Sequence, residues 1–215
     1  MLIEAGSKLL MIGDSVTDCE RARPVGEGLP GSLGNSYVRD VASLLQVAYP
    51  DRKIRVVNMG TSGNTVRDLK GRWQTDVLDL KPDWVSIMIG VNDVWRQYDT
   101  PLLTEWQVLI DEYAATLEEL VKTTQPRVKG IVLMTPFYIE TNKDDAMRAT
   151  LDKYGEVVKA VAGKYKTVLV DTQIIFEDML RYYHSSYISW DRVHPSPAGH
   201  MALARAFLSA VGFEW

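Results

Sequence analysis

Short apolar runs alternate with longer amphipathic stretches along the chain of 215 residues. The runs are continuous rather than alternating in polarity, which is typical of parallel strands that are covered on both faces. They predict five buried strands, at residues 9–12, 54–57, 84–89, 131–134 and 168–170.

Between these runs, apolar residues recur at spacings of three and four, which predicts amphipathic helices. One such stretch contains Trp106, Leu109, Ile110, Tyr113, Leu117, Leu120 and Val121, and the next contains Met147, Leu151, Tyr154, Val158, Val161 and Tyr165. We expect Trp106 to pack in the core with the others. A final helix is predicted to begin at Ser196 and Pro197, because a cap residue followed by proline is typical of a helix start.

Strands and helices alternate along the whole length, which predicts an α/β fold. We expect a three-layer α/β/α sandwich with a five-stranded parallel sheet, formed by a single domain over residues 1–215. Ligands of such sheets bind beyond the carboxyl ends of the strands, so chemistry is expected just after each strand.

Composition argues against several classes of partner and site. The net charge of −4 argues against a nucleic-acid partner, which would require a basic face. A single cysteine, Cys19, excludes an intrachain disulfide and an all-cysteine metal site. The apolar run at residues 9–12 is too short for a signal peptide or a membrane span, so we expect a cytoplasmic protein without a membrane partner.

Polar motifs follow the first three predicted strands. Ser15, in Gly13-Asp14-Ser15, lies at a tight strand-to-helix turn that can expose a nucleophilic hydroxyl. The glycines of residues 58–64 permit a backbone N–H to face the crevice, and Asn92 can donate to a developing negative charge. Taken alone, each motif is better explained as a turn or a helix cap.

A fourth motif lies near the C-terminus, where Asp191 precedes His194 by three residues. A carboxylate at this spacing can fix the imidazole tautomer and stabilise the imidazolium. His184 and His200 are the other candidate bases. Neither has an aspartate at this spacing, and we expect His184 to lie near a helix end and His200 to be structural.

Together the four motifs resemble those of the SGNH (GDSL-type) hydrolase family. They are Gly-Asp-Ser, the second-block glycine, Gly-x-Asn-Asp and Asp-x-x-His, in the family's order from Gly13 to His194. The first reads Gly-Asp-Ser-Val rather than Gly-Asp-Ser-Leu. The resemblance implies a flavodoxin-like fold and a serine esterase that uses no metal and no cofactor.

The resemblance also implies a role for each motif residue. Ser15 is the expected nucleophile, His194 the general base and Asp191 the residue that orients the base. The expected oxyanion hole consists of the backbone N–H groups of Ser15 and Gly63 and the side chain of Asn92.

Within the family, the chain looks most like bacterial acetylxylan esterases, on its size and its Trp-Asp-x-x-His block. We therefore expect an enzyme that removes acetyl groups from xylan-derived sugars or xylo-oligosaccharides. The alternative is a thioesterase or lysophospholipase-like relative, but the polar residues at 18–23 do not indicate an apolar trench for an acyl chain. A nucleotide or flavin binder would need a glycine-rich phosphate motif. A catalytically dead adhesion or assembly module would not keep every catalytic position filled.

Aromatic residues near the motifs are candidates for substrate contact. Trp95, Tyr98 and Trp190 are expected on loops beside Asn92 and Asp191, where their rings can bind a sugar or an acyl group, or anchor an interface. In the segment 21–34, Arg23 is a candidate polar contact with substrate.

The last four residues include Phe213 and Trp215. Aromatic anchors often mark subunit contacts, which favours a homo-oligomer.

Overall fold

A parallel sheet organises the chain in a computed structural model, which describes residues 1–29 and 31–215. Its strands are β1 (Lys8–Gly13), β2 (Arg55–Asn58), β3 (Trp84–Met88), β4 (Gly130–Met134) and β5 (Val168–Val170). All neighbouring strands pair in parallel, in the order β2-β1-β3-β4-β5. The five predicted strands are confirmed, with their ends shifted by one residue in most cases.

Helices connect and follow the strands. They are α1 (Ser15–Asp18), α2 (Tyr37–Ala48), α3 (Val66–Trp73), α4 (Val91–Asp99), α5 (Ile110–Thr124), α6 (Ala146–Tyr165), α7 (Thr172–Leu180), α8 (Ser185–Ile188) and α9 (Pro197–Ala210). α3 continues into a π-helical turn, and short 3-10 turns lie at Pro50–Arg52, Thr104–Trp106 and Gln125–Arg127. Over residues 1–29 and 31–215, we find no helix with the length and apolar character that crossing a membrane requires.

The sheet separates two apolar cores. Adjacent strand residues point to opposite faces, so β1 directs Leu10 and Ile12 to one core and Leu9 and Met11 to the other. The first core is closed by α3, α5 and α6, and the second by α2, α7 and α9. Helices therefore cover both faces, and the predicted three-layer α/β/α sandwich is confirmed.

The strand order determines where a ligand can bind. After β1 the chain runs through α2, on one face, to β2 at the edge. It then returns through α3, on the other face, to β3 on the opposite side of β1. Connections that leave β1 and β3 toward opposite faces open a crevice at the carboxyl ends of these two strands. Ser15 follows β1 and Asn92 follows β3, so both candidate residues lie at this crevice.

The core position predicted for Trp106 is wrong. Its side chain is 54% exposed and lies in the 3-10 turn Thr104–Trp106, because α5 begins only at residue 110. The guanidinium of Arg67, on α3, donates to the carbonyl oxygens of Glu105 (2.9 Å) and Gln107 (3.1 Å) and holds this turn outside the helix. The apolar spacing of three and four thus continues through a segment that is not helical.

Substitution by alanine is expected to have opposite effects on stability at Gly130 and at Gly163. A Cβ at Gly130 on β4 would lie 2.3 Å from the ring of Trp84, its partner on β3, whereas a Cβ at Gly163 on α6 meets nothing within 4 Å. We expect Gly130→Ala to lower the free energy of unfolding by about 1–3 kcal/mol through overpacking. Gly163→Ala should raise the free energy of unfolding by about 0.5–1 kcal/mol, because alanine has fewer backbone conformations than glycine in the unfolded chain and loses less entropy when α6 forms. Urea unfolding of both variants checks this, and equal effects would contradict it.

Candidate active site

The candidate nucleophile lies at a sharp turn between β1 and α1. Asp14 caps α1, and its carboxyl oxygen accepts a hydrogen bond from the Val16 N–H at 3.0 Å. A Cβ at Gly13 would lie 2.3 Å from the carbonyl oxygen of Met88, so only glycine lets β1 end this close to β3. Ser15 is consequently the first residue of a helix and is partly exposed at the crevice.

Serine, histidine and aspartate form a continuous hydrogen-bonded chain. Ser15 Oγ is 2.8 Å from His194 Nε2, and His194 Nδ1 is 2.6 Å from Asp191 Oδ2. An imidazole whose Nδ1–H faces a carboxylate leaves Nε2 free to accept the serine proton. This arrangement is suited to nucleophilic acyl transfer.

The aspartate of this chain is held as a carboxylate. Its Oδ1 accepts hydrogen bonds from the backbone N–H groups of Val193 (2.9 Å) and His194 (2.8 Å) and from Ser189 Oγ (2.9 Å). Burial opposes ionisation, but these bonds and the imidazole outweigh it and lower the pKa of Asp191 below its ordinary value. The negative charge is therefore present beside the imidazole at neutral pH.

The loop that carries Asp191 and His194 is anchored to the segment after β4. Arg192, which has a left-handed backbone (φ 66°), pairs with Glu140 at 2.7 Å and accepts the Ile139 N–H through its carbonyl oxygen. Four residues on, the Ser196 N–H donates to the carbonyl oxygen of Ile188 at 2.6 Å. Contacts on both sides thus fix the loop against the body of the protein.

The three candidate oxyanion donors follow the carboxyl ends of β1, β2 and β3. Asn92 is buried, and its amide donates to the carbonyl oxygen of Asn64 at 3.0 Å while its Oδ1 accepts from Arg96 at 3.2 Å. These two bonds fix the orientation of the amide. Within residues 1–29 and 31–215, the backbone N–H groups of Ser15 and Gly63 have no hydrogen-bond acceptor. Gly63 has a left-handed backbone (φ 80°), which favours glycine.

The second-block loop (residues 59–64) carries Gly63 and packs tightly against α1. A Cβ at Gly60 would lie 2.3 Å from the backbone nitrogen of Asp18. The Asp18 carboxylate accepts from the Ser62 N–H (2.9 Å) and pairs with Arg23 (2.6 Å). Arg23 also donates to the Gly60 carbonyl oxygen, at 3.2 Å. The guanidinium predicted to contact substrate is thus engaged with this loop, and its substrate role stays a prediction.

Arg72, on α3, is a residue that sequence reasoning missed. Its guanidinium donates to Asn64 Oδ1 (2.7 Å) and to the carbonyl oxygens of Met59 (2.8 Å) and Gly13 (3.1 Å). It therefore connects the end of β1, the end of β2 and the second-block loop. The sequence signals only its ion pair with Asp76, four residues later.

Two buried carboxyl groups flank the donors. Burial raises the pKa of Asp14 to about 7 and that of Asp93 to about 8. Asp93 follows Asn92, and its Oδ1 accepts from the Val66 N–H of α3 at 3.0 Å. Its Oδ2 is buried and has no partner in the part of the chain that the structure describes. Asp93 thus links the first turns of α3 and α4.

The candidate aromatic contacts are placed differently from one another. The Trp95 ring lies 6.1 Å from the His194 ring, whereas the Tyr98 hydroxyl points to α6 and donates to the Ala146 carbonyl oxygen at 2.8 Å. Trp190 is 84% exposed on the loop before Asp191. The prediction that Trp95 and Tyr98 lie on loops is wrong, because both belong to α4. The apolar residues Val91, Val94, Trp95 and Tyr98 recur at spacings of three and four, so the sequence carries a helical signal here that the loop prediction overlooks.

The other histidines and the cysteine lie outside the hydrogen-bonded chain of Ser15. His200 Nδ1 accepts the Tyr37 N–H at 3.2 Å, and burial lowers the pKa of His200 to about 4. Its Nε2 is 3.7 Å from Cys19 Sγ. His184 caps α8. Among the described residues, no group of three or more His, Cys, Asp or Glu side chains could hold a metal ion.

Comparison with known proteins agrees with this geometry. A protein from Geobacillus stearothermophilus named as an acetylxylan esterase is 61% identical over 215 residues, which are 100% of this chain and 98% of that protein. The crystal structure of Axe2, an acetylxylan esterase from the same organism, covers 100% of this chain and 98% of that chain, with a TM-score of 0.99. Three solved Axe2 variants, S15A, H194A and D191A, are named as catalytic mutants.

A second solved relative is LAE5, an alpha/beta hydrolase enzyme from the metagenome of Lake Arreo. It is 51% identical and covers 99% of this chain and 98% of its own, with a TM-score of 0.97. The model of the GDSL-like lipase/acylhydrolase family matches residues 11–202, a range that contains all four motifs. The chain therefore belongs to the GDSL-like lipase/acylhydrolase family.

Proposed function

We propose that this protein is a serine esterase that removes acetyl groups from xylan-derived sugars or xylo-oligosaccharides through an acyl-enzyme on Ser15. The observation that carries the proposal is the continuous hydrogen-bonded chain from Ser15 through His194 to Asp191. The name of the Geobacillus relative, which is 61% identical over the full chain, supports the choice of acetylated xylan as the substrate class.

In the proposed reaction, Ser15 Oγ attacks the ester carbonyl as His194 Nε2 takes its proton. Asp191 stabilises the imidazolium, and the carbonyl oxygen becomes an oxyanion that the N–H groups of Ser15, Gly63 and Asn92 bind. His194 then gives its proton to the leaving sugar hydroxyl. Water repeats the two steps on the acyl-enzyme and releases acetate.

The choice of an acetyl ester over the substrates of the thioesterase or lysophospholipase-like alternative is supported by the Geobacillus relative, which is named as an acetylxylan esterase.

Three further expectations stay predictions. They are a single domain over residues 1–215, a cytoplasmic location and a homo-oligomer. In the structure Trp215 is 60% exposed, packs on Phe213 with ring centroids 4.6 Å apart and lies beneath Arg205. Substrate contacts by Trp95, Tyr98 and Trp190 also stay predictions.

Labelling and deacetylation together test the proposed function. We expect a serine-directed organophosphonate to label the wild type stoichiometrically at Ser15, because His194 activates this hydroxyl. Ser15→Ala should lose labelling and about 10⁴-fold or more of the activity on acetylated xylo-oligosaccharides, while its thermal unfolding stays that of the wild type. Release of acetate is the measurement. Labelling elsewhere, or an active Ser15→Ala variant, would refute the assignment.

We expect Arg72 to affect kcat by holding the proposed oxyanion donors in position. Arg72→Met removes the three bonds that hold the second-block loop and the end of β1, and a misplacement of about 1 Å costs about 10²-fold in rate. We expect kcat on 4-nitrophenyl acetate to fall by that order with little change in KM. Lys70→Met is the matched control, because Lys70 lies on the same helix and pairs with Glu119 at the surface. A fall in both variants would show a general effect on α3.

Asp93 is expected to make stability depend on pH. Between about pH 5 and pH 7 the folded protein keeps the proton of Asp93, whose pKa is about 8, whereas the unfolded chain, with a pKa near 3.8, has lost it. The free energy of unfolding then falls as pH rises, by about 1.4 kcal/mol per pH unit from this group. In urea unfolding at pH 5, 6 and 7, Asp93→Asn should make the slope shallower by this amount, while Asp14, whose pKa is about 7, keeps its own contribution. The exposed Asp51→Asn control should keep the full wild-type slope. A difference from wild type that is independent of pH would contradict the prediction.

A further inference from the structure

A groove of about 270 Å³ opens beside the proposed oxyanion hole. Its lining residues come from the second-block loop, α3, α4 and the 3-10 turn before α5, and they are Gly63, Thr65, Arg67, Asp68, Arg96, Glu105 and Trp106. Gly63 belongs both to the groove and to the proposed donor set. A substrate whose carbonyl oxygen binds the Gly63 N–H therefore has this groove next to its reacting carbon.

One wall of the groove is a fixed aromatic surface. Trp106 is 54% exposed, and its turn is held by the Arg67 bonds to the carbonyl oxygens of Glu105 and Gln107. Arg67 is itself fixed by its pair with Glu112 at 2.7 Å. Ordering the indole on ligand binding costs little entropy, because the turn that carries it is already held.

The remaining lining is polar and has free hydrogen-bonding capacity. In the part of the chain that the structure describes, the Glu105 carboxylate makes no hydrogen bond or ion pair. Asp68 uses Oδ2 to cap α3 at Thr65, and its Oδ1 has no hydrogen-bond partner among residues 1–29 and 31–215. Arg96 donates to Asn92 Oδ1 and pairs with Asp99, so it connects the groove to a second proposed oxyanion donor.

The chemistry of this lining selects a neutral, hydroxyl-rich ring. Arg67 pairs with Glu112 and Arg96 pairs with Asp99, so the arginine charges are already balanced and the carboxylates of Asp68 and Glu105 disfavour an anionic ligand. A pyranose ring presents an apolar C–H face to an indole and hydroxyls to carboxylates and guanidinium at its edge. An acyl chain would instead bury the free carboxylates of Glu105 and Asp68 without partners, which is costly.

The geometry points to a sugar subsite: the groove binds the xylosyl unit next to the one whose acetyl group is removed, with that unit stacked on Trp106. This assignment rests on the proposed function. Pockets for drug-sized ligands hold about 300–1,000 Å³, so a groove of about 270 Å³ suits one sugar ring rather than a longer segment.

Substrate pairs with and without the neighbouring sugar test the subsite. Trp106→Ala and Trp106→Phe are assayed on acetylated xylotriose and on 4-nitrophenyl acetate, which has no sugar. We expect Trp106→Ala to lower kcat/KM on acetylated xylotriose about tenfold more than on 4-nitrophenyl acetate, mainly through KM, and Trp106→Phe to restore most of the loss. Tyr182→Ala is the control, because it removes an aromatic side chain that is 82% exposed and lies outside the groove. It should leave kcat/KM unchanged on both substrates.

The other outcomes overturn the assignment in distinguishable ways. Equal losses on both substrates would mean that Trp106 acts on the fold or on the chemistry. If Trp106→Ala deacetylates acetylated xylotriose as fast as the wild type does, the subsite assignment is wrong and the proposed function is unaffected. A wild type that cleaves 4-nitrophenyl acetate but not acetylated xylotriose would remove both.

Discussion

The close approach of three backbones at the carboxyl edge of the sheet is the constraint on which the site depends. Gly13 lets β1 end against the Met88 carbonyl of β3, and Gly60 lets the second-block loop lie against the backbone of Asp18. In both places a Cβ would come within 2.3 Å of a backbone atom. These contacts hold the first residue of α1 close to the loop that carries Gly63, the proposed donor. We expect a larger residue at either position to separate Ser15 from this proposed donor.

Polar groups at this edge of the sheet hold the proposed oxyanion donors in place before substrate binds. Arg72 binds the second-block loop and the end of β1, Arg96 orients the Asn92 amide, and Asp93 links the first turns of α3 and α4. Donors fixed in advance stabilise an oxyanion without reorganising during the reaction. Asp93 shows the cost of this arrangement, because burial keeps its carboxyl protonated and leaves Oδ2 without a partner in the described part of the chain.

Sequence patterns predict those parts of the molecule whose physical cause is local. Continuous apolar runs identify all five strands, and the spacing of Asp191 and His194 anticipates their hydrogen bond, because three residues of loop bring the two side chains together. The bonds of Arg72 to Asn64 and Gly13 join segments that are distant in sequence, so no pattern reveals them. The apolar spacing misplaces Trp106 because it matches a helix, whereas the bonds of Arg67 to two backbone carbonyls hold its turn outside α5.

The chemical and recognition parts of the site are built in different ways. The proposed donors and nucleophile depend on buried backbone and on side chains with several partners each, so we expect most substitutions there to alter the rate with every substrate. Trp106 and Glu105 lie on an exposed 3-10 turn that lines the groove together with Gly63. We therefore expect changes in this turn to alter the proposed sugar binding without displacing the proposed donors. Arg96 connects the two parts, since it lines the groove and also orients Asn92, so its substitution should affect both binding and rate.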